Sequence, residues 1–591
     1  MNSIERPNAV APEPATVEAA EKAPLRKWAL APLLILGPLL LLVLYSHRMV
    51  AGLVSPDAMD YAQLGRNLLA GHGLTTQILR PLGLTDSANP LAQPDLTHGP
   101  LYPFLLALAF GIAGTKDSVV LGMSGLFYLL TAPALYFLGK RLFSAQVGML
   151  AALVFMTNGS ILEYATAGTP TTLVMFLATC LFLTLFQAAS VERREGENET
   201  TKIVKAPFVV AGLFAGLLYL TDPLFVWILP VLTVAIPLML PTKSTNQRAA
   251  AAGYFLVPLA LLTLPSMLRF FLLTGNPLFG LRGAELWMGT KAYPGFVAYR
   301  LSPGDIVGGF GSIKGILLKL FVGAAGATTS LLHLPAGWVL LFVLPGLFFG
   351  FADPALGRLR TIVFACLISV LAGSLFLTFT PAVLMVVFPG LLVFALRYLV
   401  HLIRQAQLPH SSRVVVNGLF GFALLSPLVV SLVTTLTPAS VPQVAAARSL
   451  NRQAKPNEVV FSDQPWIVAW YADRPSVWIP ISNTKMAAVR KQFVKARWLF
   501  LTPEAARLSP EWNLALNSLL GWNREYQEAE RTGAALPSAL PIPRTQASIT
   551  EALEGFSPLP PEEKGVLTAV VASAPLQSTT RTDGSDKPAG K

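Results

Sequence analysis

The sequence predicts a mainly α protein, a polytopic membrane helix bundle of about 11–13 spans with a small C-terminal external α/β domain. Three observations predict it. Of 591 residues, 53% are hydrophobic and only 13% charged, against about 25% charge in a soluble domain. The apolar residues come in long uncharged blocks such as Trp28 to Ser46, Ala249 to Leu268 and Thr361 to Leu396. Beyond residue 440 the pattern changes: "EVVFS" and "VWIPI" have strand composition, and "TKMAAVRKQFVKA" has helical spacing before the apolar "WLFLT".

The formal charge of +12 does not call for nucleic acid, because Lys and Arg collect in the cytoplasmic loops of membrane proteins. Membrane lipids are the expected surroundings. Cys180 and Cys366 lie inside apolar blocks and read as small buried hydrophobes. They supply neither a disulfide framework nor a cysteine metal site.

Each segment follows from this frame. Residues 1–25 are polar and rich in Pro, Ala and Glu, as expected of a disordered cytoplasmic tail. The run after them is too long for a signal peptide and reads as a retained anchor. The transmembrane domain spans 26–439, with apolar segments near 28–49, 99–115, 118–139, 146–163, 171–189, 207–221, 223–240, 250–273, 338–351, 361–380, 382–404 and 413–437. Basic loops at 191–205, 241–248, 357–360 and 404–413 fall two segments apart and share the cytoplasmic side. The loops 50–98 and 274–337 then face outward, as does an α/β domain over 440–530. The tail 531–591, rich in Ala, Pro, Ser and Thr, is expected to be mostly disordered. An even number of spans cannot join a cytoplasmic N-terminus to an external C-terminus. The conflict sits between 99 and 163, where strict alternation puts Gly139-Lys140-Arg141 outside.

The chemistry concentrates after the first apolar run, in "VSPDAMDYAQLGRNLLAGHG" (54–73). Ser55 suits an N-cap and Pro56 the first helical position. Asp57, Asp60, Tyr61, Leu64 and Leu68 recur at helical spacing and share a face, so the helix is expected along the membrane interface. The positive end of the helix dipole favours ionised Asp57, and a carboxylate there can serve as a general base. A first-turn charge and a solvated residue are the plain alternatives. "THGPLYPF" brings His98 and Tyr102 to the start of the next segment. Arg269 lies near the outer end of a span, where it pairs, snorkels or meets a phosphate. Asp222, in "LTDP", reads as a loop cap between two segments.

Taken in order, "PDAMDYAQLGRNLLAGHG", "HGPLYPFLLALAFGIAG", "LTDP" and "LRFFLLTGNPLFG...LWMG" resemble bacterial polyprenyl-phosphate-sugar-dependent glycosyltransferases. These are GT-C-fold enzymes related to protein O-mannosyltransferases and aminoarabinose transferases. The external stretch 457–481 is similar to their C-terminal domain. The resemblance implies an inverting enzyme of the bacterial inner membrane with its active site on the external face. Its donor would be a sugar on a polyprenyl phosphate carrier, and its acceptor a lipid, glycan or protein. It puts the catalytic base at Asp57, with Asp60 as the alternative. It puts Tyr61, His98, Tyr102, Arg269, Asn276, Trp287 and Lys291 around the substrates, with Arg80 and Arg282 as further cations. It implies no certain cofactor and leaves a divalent metal open. The chain departs from the family's habit at several positions. The family's Asp-Glu is Asp57-Ala58 here, its Lys-Pro or Arg-Pro-Pro start is His98-Gly99-Pro100, its Leu-Thr-Arg-Pro is Leu220-Thr221-Asp222-Pro223 and its Arg-Asn is Arg269-Phe270. Its second acidic position falls near Thr169, with Glu163 nearby. A non-catalytic membrane protein that binds or transports a lipid-linked sugar is the alternative reading.

Overall fold

The computed structural model describes residues 27–84, 89, 93–194, 205–241, 243–278, 280–287, 313–332, 334–335, 337–377, 381–434, 442–480, 486, 489–490, 496–534, 557–558 and 570–573. The expected tail 1–25 lies outside them, as does most of the expected helix 484–496. In chain order the described α-helices of four residues or more are α1 (Lys27–Met49), α2 (Pro56–Leu69), α3 (Leu101–Ala113), α4 (Asp117–Leu142), α5 (Ala145–Thr157), α6 (Gly159–Thr166), α7 (Thr171–Arg194), α8 (Ala206–Thr221), α9 (Ile228–Leu238), α10 (Thr245–Thr274), α11 (Ile313–Leu332), α12 (Val343–Phe348), α13 (Pro354–Ser374), α14 (Pro381–Leu384), α15 (Phe388–Gln405), α16 (His410–Thr434), α17 (Pro442–Gln453) and α18 (Pro510–Thr532). Seven of these helices are long and apolar enough to cross a membrane, and the pair α5 and α6, bent by 63°, makes an eighth if taken as one span. The chain is thus a multi-pass helix bundle.

Side-chain contacts define two ends of the bundle. At one end the basic loops meet: Arg404 Nη2 donates to Gln146 Oε1 (3.1 Å) and Arg358 Nη2 to the Ala189 carbonyl (3.2 Å). Arg360 donates to the Phe349 carbonyl. The other end carries α2, α3 and the C-terminal α/β domain.

Segment 99–115, expected as a span, is α3, and both its ends lie at this second end. Near its start Tyr102 packs edge-on against Tyr61 at 5.3 Å. Near its finish Phe110 stacks on Trp470 of the C-terminal domain at 6.0 Å. The physical reason is length. Thirteen residues make a helix of only ~20 Å, short of a hydrocarbon core of about 30 Å. Gly114 ends it, and Asp117 at the head of α4 accepts from Trp470 Nε1 (2.7 Å) and the Tyr471 hydroxyl (2.8 Å). With α3 lying along one end, Lys140 and Arg141 at the foot of α4 join the basic end, which removes the misplacement of Gly139-Lys140-Arg141.

Two further stretches carry elements that the sequence did not announce. The loop 274–337 contains α11, itself long and apolar enough to cross a membrane. Lys314 and Lys319 interrupt its apolar run and hid it. Lys319 is buried, its ammonium donating to the Glu285 (2.6 Å) and Leu286 (2.8 Å) carbonyls. The tail 531–591 contributes strands to the C-terminal sheet. That sheet has β1 (Ile78–Leu79), β2 (Val459–Ser462), β3 (Ser476–Trp478), β4 (Ala496–Leu501), β5 (Ser557–Pro558) and β6 (Val570–Ser573), in the order β1-β3-β2-β4-β6-β5. β1, β3, β2 and β4 run parallel, whereas β6 is antiparallel to β4 and β5. The domain has its own apolar core of Phe461, Val477, Leu499, Trp512 and Leu519. Leu79, from the first loop of the membrane domain, is buried in it.

Ending the chain at residue 556 removes β5 and β6 and bares the edge of β4. The unfolding temperature of the α/β domain is expected to fall by ~4–8 °C, the shift that about 1 kcal/mol gives a domain of this size. An unchanged temperature for the shortened chain would contradict the pairing of β6 with β4.

Candidate active site

The site begins with α2, whose start is locally encoded. Ser55 accepts a hydrogen bond from the Ala58 amide at 3.4 Å, and Pro56 occupies the first turn. Gly65 lets α2 lie directly on α3, since a Cβ there would sit 2.9 Å from Leu106 Cβ and 3.2 Å from the Pro103 carbonyl. Gly99 seats His98 against the end of α8. A Cβ at that position would fall 2.2 Å from the Leu220 carbonyl oxygen, so no other residue fits without moving backbone.

The two aspartates of α2 have different surroundings. Asp57 is exposed in the first turn and makes no ion pair or hydrogen bond among the described residues. Asp60 is buried, with both oxygens engaged. Its Oδ1 accepts from Gln63 Nε2 (3.0 Å) and its Oδ2 is ion-paired with Arg80. Asp95, which the sequence reading passed over, completes the cluster. It accepts from the Thr97 hydroxyl (2.9 Å) and the His98 amide (3.0 Å), lies 3.2 Å from His98 Nδ1 and sits 4.0 Å from Arg80 Nη1. His98 Nε2 is 3.6 Å from Asp60 Oδ2. Two carboxylates thus surround one guanidinium and one imidazole. The Asp95–His98 turn carried a local signal, an Asp three residues ahead of the amide it caps. The approach of Arg80 to Asp60 carried none.

The charges follow from this geometry. For His98, burial disfavours the proton, but the charges of Asp60 and Asp95 and the bond to Asp95 outweigh it and raise the pKa above 6.5. For Asp95, burial works upward, but the charge and hydrogen bonds of His98 and the charge of Arg80 hold the carboxyl well below the usual range. With His98 protonated the cluster is neutral. Among the described residues no group of three His, Cys, Asp or Glu side chains is arranged to hold a metal.

Tyr61 joins this buried cluster to a more open side. Its ring meets His98 at 4.5 Å and Tyr102 at 5.3 Å. Burial, with the charges of Asp222 and Asp57, pushes its hydroxyl well above the usual tyrosine range and keeps it neutral. On that side Arg282 Nη1 lies 3.8 Å from Asp222 Oδ1, both partly exposed. Asp222 also caps the turn after α8 through the Leu224 amide (2.9 Å), as expected. Tyr102 is buried, its hydroxyl on the Gly168 carbonyl (3.0 Å) and Ser124 (3.2 Å).

Arg269 reaches this end of the molecule and binds backbone. Its Nη2 donates to the Leu74 (3.2 Å) and Asp95 (2.7 Å) carbonyls, so it buckles together the two arms of the first loop. Asn276 turns the chain after α10, its Oδ1 accepting from the Leu278 amide (3.0 Å). Trp287 ends the short helix Gly280–Trp287. Its side chain and Lys291 lie outside the described residues. Thr169 pairs with Thr171 at 3.1 Å between hydroxyls, and Glu163 is exposed.

The family model for dolichyl-phosphate-mannose-protein mannosyltransferase matches residues 97–198, a stretch that opens on Thr97 and His98. No curated protein matches the sequence. Among solved structures the chain is similar to the archaeal oligosaccharyltransferase AglB from Archaeoglobus fulgidus, in complex with an inhibitory peptide and a dolichol-phosphate. The TM-score is 0.54 at 14% identity, covering 81% of this chain and 70% of that one. It is also similar to ArnT from Cupriavidus metallidurans bound to undecaprenyl phosphate. There the TM-score is 0.51 at 13% identity, covering 93% and 98%. At these identities the likeness is one of fold.

His98 gives the cluster a pH signature. Because its folded pKa is raised, its contribution to stability is complete below its ordinary value of 6.5 and is lost as pH rises through the raised value. The unfolding temperature of the parent is expected to drop across that window, and that of His98→Gln to stay flatter. Equal pH dependence in the two proteins would contradict a charged His98.

Proposed function

We propose that this chain, which has the GT-C fold, is a membrane glycosyltransferase that moves a sugar from a polyprenyl phosphate carrier to an acceptor at the α2 end of the bundle. The observation that carries the reading is Asp57. It is a carboxylate whose oxygens are not engaged by any described residue, at the rim of an apolar bundle and beside Tyr61. Asp60 suits the base less well, because Gln63 and Arg80 engage its oxygens.

In the proposed reaction an acceptor oxygen attacks the anomeric carbon from the face opposite the phosphate, with inversion. The new glycosidic bond forms as the sugar–phosphate bond breaks, and the electron pair leaves on the carrier's phosphate. Asp57 takes the acceptor proton. Arg282, partly exposed beside Asp222 and Tyr61, and the remaining donors of Arg269 would steady the departing phosphate, the electrostatic part of catalysis. The polyprenyl tail would stay in the bilayer along the exposed face of α10, at Leu261, Leu264, Leu268 and Leu272. The positive-inside rule assigns the basic end to the cytoplasm. The site would then face the periplasm of a bacterial inner membrane, where the acceptor is a lipid, a glycan or a protein.

The test compares Asp57→Asn with Asp60→Asn for sugar transfer from polyprenyl phosphate donors and for unfolding temperature. Asp57→Asn is expected to lose ~10²–10⁴-fold in rate with stability unchanged. Asp60→Asn leaves a buried guanidinium short of its partner and is expected to cost stability, on the order of 3–5 kcal/mol at most. Parental transfer by Asp57→Asn would contradict its role as base. Tight binding of undecaprenyl phosphate by a parent that transfers from no donor would favour the non-catalytic reading.

A further inference from the structure

The strand that carries Arg80 belongs to two bodies. Its first half is bonded to α2. Gln63 accepts from the Gln77 amide (3.0 Å) and donates to Thr76 Oγ1 (3.0 Å), and Asn67 donates to the Thr75 carbonyl (2.8 Å). Its second half, β1, is an edge of the C-terminal sheet. Ile78 pairs with Ser476 and Leu79 with Val477, and the Ser476 amide donates to the Gln77 carbonyl at 2.7 Å. Leu79 is buried in the core of that domain. Strand alternation then turns Ile78 and Arg80 the other way, towards α2. A slip of one residue would drive the guanidinium into an apolar core and set Leu79 against Asp60.

Arg66 stands where the two bodies meet. Its Nη1 donates to the Trp470 carbonyl (3.1 Å). Its Nη2 donates to the Ala469 carbonyl (2.6 Å) and to Gln77 Oε1 (2.7 Å), and lies 2.8 Å from Asp473 Oδ1. The guanidinium also sits over the Trp470 ring, 5.2 Å from its centroid. The partner segment, Val468–Ala472, is a π-helical turn, closed by Asp473 at a positive φ of 51°. Its Trp470 and Tyr471 hold Asp117 at the head of α4.

We propose that the C-terminal domain sets the register of the first loop, and that Arg66 is a positioning residue for the site. By holding Gln77 and the 468–472 turn in one fork, Arg66 fixes β1 on β3 and thereby aims Arg80 at Asp60. The site on α2 is therefore complete only when the C-terminal domain is docked, whatever sugar passes through it. A lysine keeps the charge but cannot span the same acceptors with a planar fork.

Hydrogen exchange on the full-length protein in detergent tests this. Arg66→Ala is expected to speed exchange in peptides covering Thr76–Leu79 and Ser476 by about tenfold or more, as loss of charged hydrogen bonds implies. Arg66→Lys should fall between that variant and the parent. The pH at which stability drops through His98 should move upward in Arg66→Ala. The withdrawn Arg80 is a charge that holds the imidazole's proton affinity down, while Asp60 and Asp95, which hold it up, remain beside it. Unchanged exchange at Ser476, or an unmoved pH midpoint, overturns the proposal. So does loss of protection throughout Val459–Ser462 and Ala496–Leu501, which would make Arg66 a residue of the domain's fold. None of these readouts requires sugar transfer, so failure here is distinct from failure of the glycosyltransferase reading.

Discussion

Arg80 is a largely buried cation between buried carboxylates, and the α2 end of the molecule is arranged around it. Taking a guanidinium out of water costs several kcal/mol unless opposite charge and hydrogen bonds compensate. Asp60 supplies the pair from α2, Asp95 lies 4.0 Å away, and His98 balances the second carboxylate. Asp60 comes from α2, and Asp95 and His98 come from the turn that leads into α3. Satisfying one charge therefore fixes α2, the returning arm of the first loop and the entry to α3 relative to one another. Tyr61 packs on His98 from the same helix that presents Asp57. The exposed carboxylate thus inherits its position from the buried one.

The membrane imposes the second constraint. A helix too short to span has to lie at the rim or end inside the bundle. Here α3 lies at the rim and packs on α2 through Gly65. The pair forms a shelf at the rim, its polar groups on α2 and apolar Phe104, Leu108 and Ile112 exposed on α3, roofed by the C-terminal domain through Arg66, Trp470 and Tyr471. The proposed carrier, with an apolar tail and a charged head, would use that junction of surfaces. Its tail would stay in lipid while its phosphate and sugar reached polar groups at one depth.

The sequence made the bundle, the cap of α2 and the basic loops legible, because each depends on local composition or on neighbours within a turn. Ser55 and Pro56 announce the helix start, and the strand composition of "EVVFS" and "VWIPI" announces β2 and β3. Hydropathy misread α3 as a span because it scores composition and not direction. It passed over α11 because Lys314 and Lys319 break the apolar run, although Lys319 finds carbonyl partners and is buried. β6 was hidden in an Ala- and Ser-rich tail whose strand character depends on the edge of β4. The Arg80–Asp60 pair was the least legible feature. It depends on β1 joining a sheet whose other parallel strands lie almost 400 residues further along the chain, and no local pattern reports such a pairing. The same pairing separates Asp57 from Asp60, which spacing alone left equivalent.

The most direct test of the central claim is photolabelling of the protein in membranes with a diazirine-bearing polyprenyl phosphate, followed by mapping of the labelled peptides. The account predicts label on α2, at the start of α3 near His98 and Tyr102, and on the outer half of α10 with the Gly280–Trp287 turn, all competed by unlabelled carrier. Competable label confined to the basic end, around Arg358, Arg360 and Arg404, would contradict it.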